Sequence, residues 1–105
     1  MATIANLSKK SDGTLEGMLT TANITVPIAI VPNARKAKDN EPDLRVVGRR
    51  NGYEIGAGWN RISRSSGEEY TSVSLSAPEF GSIYCNLAPA PGDDPSKMVL
   101  IWNPA

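Results

Sequence analysis

Cations and aromatic rings interleave along one short stretch of this chain. Arg45, Arg49, Arg50, Tyr53, Trp59, Arg61 and Arg64 follow one another in order. Arginine grips phosphate or carboxylate through a planar fork of donors, and an aromatic ring stacks on a base. That combination suits a strand of nucleic acid, or the acidic edge of a protein. Residues 35–64 hold eight basic and four acidic side chains, a net +4, while the rest of the chain holds three and seven, a net −4. A chain of zero formal net charge can therefore present one basic and one acidic face. The candidate binding residues are Arg45, Arg49, Arg50, Tyr53, Arg61 and Arg64. Tyr53 and Trp59 alternate with Ile55 and Ala57, so these two rings fit a core equally well.

Other chemistry finds little to stand on. The chain has no histidine, which removes the commonest general base and metal ligand. Its ten serines include no Gly-x-Ser-x-Gly elbow, and nucleophilic catalysis needs an adjacent base. The one cysteine, Cys85, alternates with Ile83 and Leu87 and reads as a small buried hydrophobe. Gly52, Gly56 and Gly58 resemble a phosphate loop only superficially. No Lys-Ser/Thr ending follows them, and no helix offers its N-terminus. Glycine there serves a bulge or sharp strand curvature. The acidic pairs Glu68-Glu69 and Asp93-Asp94 are too few for a calcium loop. We expect no catalytic residue, no metal and no cofactor.

The elements that must hold these residues are strands. The chain has 105 residues, of which 40% are hydrophobic, with 9 glycines and 8 prolines. One domain spanning 1–105 can build its core without disulfides. Period-two runs put Ile24, Val26, Ile28 and Ile30 on one face, then Tyr53, Ile55, Ala57 and Trp59. Val73, Leu75 and Ala77 follow the same rule. Turn signals separate the runs: Asp12-Gly13, Asn51-Gly52, Ser65-Ser66-Gly67 and Pro91-Gly92. Asn51-Gly52 predicts a two-residue type I′ hairpin, with Arg49 and Arg50 flanking it. The pattern predicts strands near 2–9, 14–20, 23–31, 44–49, 53–62, 69–76, 82–88 and 97–103.

The fold expected is all-β: a small antiparallel barrel or sandwich of seven or eight short strands, with at most one short helix, within 33–40. Pro27 marks an edge or a bulge. The last strand is apolar on both faces, so it is central or covered, and Trp102 would then be a core ring. The polar connection 32–43 is long enough to be functional or mobile. The arginines would mark a stripe up to about 40 Å long along the hairpin. The start of the chain carries its charges after its apolar residues and has no long apolar run. A cytoplasmic protein is expected, with no membrane span.

The ordered motifs carry a resemblance. They are Ile30-Val31-Pro32-Asn33, Pro42-Asp43-Leu44-Arg45-Val46, Glu54-Ile55-Gly56-Ala57-Gly58-Trp59, Tyr70-Thr71-Ser72-Val73-Ser74-Leu75, Ile83-Tyr84-Cys85-Asn86-Leu87 and Leu100-Ile101-Trp102. The chain resembles the small bacterial family called domain of unknown function 736, whose members often sit on mobile genetic elements. The resemblance carries no established activity and so assigns no catalytic residue. Where the family usually has Lys-Leu-Asp-Asp-Pro, this chain reads Ser74-Leu75-Ser76-Ala77-Pro78, and Asn60-Arg61 replaces two lysines. The expectation is a non-enzymatic binding protein whose partner is nucleic acid or a nucleoprotein complex, met through the basic hairpin face. No small-molecule substrate is indicated. The alternative is an inhibitor of a host defence system, of anti-CRISPR or anti-restriction type, acting by protein–protein binding.

Overall fold

A computed structural model describes residues 3–22, 24–78 and 80–103. Eight strands follow in order: β1 (Thr3–Lys9), β2 (Leu15–Thr20), β3 (Thr25–Pro32), β4 (Leu44–Gly48), β5 (Glu54–Ile62), β6 (Glu69–Ala77), β7 (Gly81–Pro89) and β8 (Lys97–Trp102). Each pairs antiparallel with the next, and β8 returns to pair with β1, so the sheet closes into a barrel. Among the described residues there is no helix, and 33–40 contains turns and bends only.

Alternation fills the barrel. Leu7, Leu19, Ile28, Ile30, Val46, Val73, Leu75, Cys85 and Leu100 all point inward and are almost wholly buried. Interior and exterior positions alternate along every strand of a closed barrel. An eight-stranded barrel this small needs strong curvature, and two glycines supply it. A Cβ on Gly17 would lie 1.9 Å from the Asn6 carbonyl oxygen, and one on Gly56 would lie 2.0 Å from that of Ser74. Only a bare Cα permits such approaches.

Three expectations change here. The register slips between Val46↔Gly56 and Val47↔Glu54, leaving Ile55 without a partner. This bulge turns Ile55, Gly56 and Gly58 inward and reverses the assumed phase. Gly56 pairs with buried Val46 and Leu75, whereas Ala57 pairs with Arg45 and Ser74, and Trp59 with Ser72. Tyr53 and Trp59 are therefore not core rings. Pro27 marks neither an edge nor a bulge. The β2–β3 register is continuous through Met18↔Pro27. Its carbonyl accepts the Arg49 N–H at 2.9 Å, just past the last β3–β4 ladder pair at Ile28↔Gly48. The missing donor thus falls where that ladder ends. Trp102 opposes Cys85 but sits at the barrel mouth, and 43% of its surface is exposed.

The meander sorts its connections between two ends. The loops 10–14, 33–43, 63–68 and 90–96 lie at one end. The loops 21–24, 49–53 and 78–80, the start of β1 and the end of β8 lie at the other.

Candidate functional site

Strand β5 runs the length of the barrel, and the candidate arginines divide between its two ends. The turn before it is a four-residue loop, Arg49–Gly52, rather than the two-residue hairpin expected. Gly48 N–H donates to Tyr53 O at 2.8 Å and Gly52 N–H to Gly48 O at 2.9 Å. Among the described residues no non-glycine has positive φ, and Gly52 alone takes the left-handed conformation in this loop, at +73°. Asn51 instead accepts the Tyr53 N–H at its Oδ1 (3.1 Å). Arg49 and Arg50 consequently lie within the loop.

The turn after β5 repeats that frame. Ser63 N–H donates to Glu68 O at 2.8 Å and Gly67 N–H to Ser63 O at 2.9 Å, and Gly67 has φ +73°. Arg64 occupies the loop position matching Arg49. The nine residues of β5 hold the two turns roughly 30 Å apart, from about 3.3 Å per residue.

Acidic partners break the expected stripe further. Arg45 Nε is 2.6 Å from Glu54 Oε1, and Arg49 Nη2 is 3.6 Å from Glu16 Oε1. Arg50, Arg61 and Arg64 have no ion-pair partner among the described residues. Arg50 and Tyr53 meet at the rim of an apolar hollow. Arg61 opposes Tyr70 across the β5–β6 ladder. Arg64, Tyr70, Ser72, Asn86 and Asn103 line a groove of about 530 Å³, together with Glu68 and Glu69.

This groove crosses an outer wall that the sequence reading did not single out. Trp59 opposes Ser72, which opposes Asn86, and Ala57 opposes Ser74, which opposes Tyr84. Tyr70 is 40% exposed and Tyr84 58%. Both are legible from strand phase. Tyr70 shares parity with Ser72 and Ser74, and Tyr84 stands opposite in phase to Ile83 and Cys85. Trp59 was hidden by the bulge.

The long connection 33–43 is a strap tied to β5 at the edge of this wall. Trp59 Nε1 donates to the Asn40 carbonyl at 3.3 Å. Asp43 receives Lys36 Nζ at 2.6 Å and the Asn60 N–H at 2.9 Å. These two donors, Lys36 first, hold its carboxyl below the usual aspartate value. Asn33 Nδ2 closes the strap on the Pro42 carbonyl (2.9 Å).

Cys85 is 1% exposed. Burial pushes its thiol up to about 11, where thiolate chemistry near neutrality is negligible. Ser63 Oγ meets Ser65 Oγ at 3.1 Å, a contact that supplies no base. Among the described residues, no three acidic or cysteine side chains converge as a metal site would require.

The family model described as "Protein of unknown function (DUF736)" matches residues 3–105. No curated protein and no solved structure matches the chain.

Proposed function

We propose, for a chain that belongs to the DUF736 family of proteins of unknown function, a role as a non-enzymatic binding protein for single-stranded nucleic acid, free or within a nucleoprotein complex. The strand would lie across the outer wall of β5, β6 and β7. One observation carries this reading. Arg61 and Arg64, without acidic partners among the described residues, flank exposed Tyr70 at the head of a polar groove. Arginine neutralises phosphate, and rings on a sheet surface accept bases by stacking. Ser72 and Asn86 supply hydrogen bonds along the groove floor.

Two features limit affinity. Glu68 and Glu69 line the same groove and repel phosphate, and Arg45 and Arg49 are already paired. Two or three phosphate contacts predict a modest salt dependence, roughly a tenfold loss between 50 and 200 mM. Fluorescence anisotropy with labelled oligonucleotides tests this. Arg61→Glu with Arg64→Glu should abolish binding, while Arg45→Glu should leave it largely intact. No binding at micromolar protein and low salt overturns the reading.

A second reading has its own support. The wall between the arginines and Tyr84 is uncharged and rich in Ser, Asn and aromatic rings, a composition suited to protein recognition. On this reading the chain inhibits a host defence complex by protein–protein binding. Bare oligonucleotides would then show no affinity, while wall variants would still abolish inhibition.

A further inference from the structure

We propose a second binding site at the opposite end of the barrel, for a small amphipathic molecule with an apolar body and an anionic head. Strand phase makes this mouth apolar. Leu19, Val26, Ile55 and Ile83 occupy inward positions of their strands, Trp102 opposes inward Cys85, and Phe80 packs against them from the β6–β7 turn. The other end carries the strap and three further hydrogen-bonded turns. Here the connections between strands are short, and among the described residues Phe80 reaches in from the β6–β7 turn to pack against the core.

Phe80 stands between two hollows. One, of about 380 Å³, is lined by Leu19, Val26, Tyr53, Ile55 and Phe80; the other, of about 610 Å³, by Ile4, Ile83, Trp102 and Phe80. Both fall within the volumes of small-molecule sites, which are mostly apolar with a few placed polar groups. Side chains fill the barrel interior, so the occupant would lie in the hollows of the mouth and not inside the barrel. A swing of Phe80 would join the two hollows, and its position on a turn ending at Gly81 (φ +74°) leaves the strands undisturbed.

Charge selects the occupant. Arg50 lines the first hollow. Glu54 and Glu16, the acids nearest this turn in the ion-pair pattern, are engaged by Arg45 and Arg49. Among the described residues the apolar cup has one cation on its rim, which matches a carboxylate or phosphate head on a hydrocarbon or aromatic body. A cationic head would meet Arg50 unfavourably. Glu79 lies outside the described residues, so a cationic probe serves as the direct control.

The experiment is a titration of isotope-labelled full-length protein, followed by nuclear magnetic resonance. The probes are laurate and dodecyltrimethylammonium, each below its micelle concentration. Laurate should shift Leu19, Val26, Ile55 and Phe80 saturably, leaving Ser72 and Asn86 on the outer wall in place. Arg50→Gln should weaken laurate about tenfold, as loss of a charge-assisted hydrogen bond does, and leave the cation unaffected. Tyr53→Ser, an exposed rim change, should weaken both probes. The proposal is overturned if laurate causes no saturable shift, if the cation binds as tightly, or if the shifts centre on the outer wall. Because the readout lies at the mouth, failure of nucleic-acid binding leaves the result untouched, and the reverse holds too.

Discussion

The two turns that bracket β5 share a four-residue frame, a glycine at +73° and an arginine, yet they open onto unlike ground. Arg64 stands over a polar groove among Ser, Asn and Glu side chains. Arg50 stands over an apolar hollow. The backbone of each turn is local, written in six residues. Its surroundings come from which strand ends converge there. At the polar end, each of three connections closes on itself: Asp12 accepts the Thr14 N–H, Asp43 holds Lys36, and Asp94 holds Ser96. At the mouth, among the described residues, inward side chains line two hollows. The same arginine-bearing turn therefore faces a polar groove at one end and an apolar hollow at the other.

The largest effect should separate the core from the mouth. Leu100→Ala removes a wholly buried side chain and should lower stability by about 3–5 kcal/mol. Trp102→Ala, at the mouth on the same strand and 43% exposed, should lower it by less, about 2 kcal/mol, since only about half of its area is withdrawn from water. Urea denaturation reads both. Equal losses would mean that the mouth is packed like the core, and the contrast between the ends would collapse.

Glycine substitutions come next. Gly56→Ala drives a methyl group against the Ser74 carbonyl, 2.0 Å away, and should cost about 3 kcal/mol. Gly52→Ala meets open space but must hold a left-handed φ, for about 1 kcal/mol. Matching midpoints for the two variants would show that barrel curvature does not depend on Gly56.

The thiol probes breathing of the mouth, because Cys85 lies opposite Trp102. With its pKa raised by burial from 9.0 to about 11, its thiolate population is about a hundredfold below that of an ordinary thiol at pH 8. Labelling of the folded protein should be slower by at least that factor than in denaturant. Reaction at the denatured rate would reveal a mouth that opens as far as Val73.

The smallest effect belongs to the polar end and is set by pH. Asp12, Asp43 and Asp94 are each held below the ordinary value of 3.8, mainly by hydrogen bonds from Thr14, Lys36 and Ser96. A carboxyl with a depressed folded pKa stabilises the fold above its unfolded value and loses that contribution as pH falls through its folded one. Acid below about pH 4 should therefore loosen the polar end first. Trp59 emission should change as its clasp to Asn40 weakens, and Asp43→Asn should remove most of that pH response. A response unchanged by Asp43→Asn would assign the clasp to other groups.

Much of this architecture was readable in order along the chain. The alternation at Ile28 and Ile30, at Val73 and Leu75, and at Ile83 and Cys85 appears inside the barrel as the period-two rule requires, and glycines occur at the turns. Eight short strands separated by turn signals follow from nearest-neighbour preferences, which act over a few residues and survive in any context. Barrel and sandwich remained equivalent at that level. What decided between them was the β1–β8 pairing, a contact between the two ends of the chain that no local pattern encodes.

The candidate binding surface was less legible, because it depends on phase and on distant partners. One unpaired residue, Ile55, reverses every following side chain on β5. It turns Trp59 from a core candidate into the post of the strap. The charges of Arg45 and Arg49 were visible in the sequence; their engagement by Glu54 and Glu16 was not. Closure of the meander then carried Arg50 to the apolar mouth and Arg64 to the polar groove. Residue type and alternation are local properties that the chain carries by itself. Register, closure and ion pairing join residues far apart in sequence, so only the folded barrel decides which arginines share a surface.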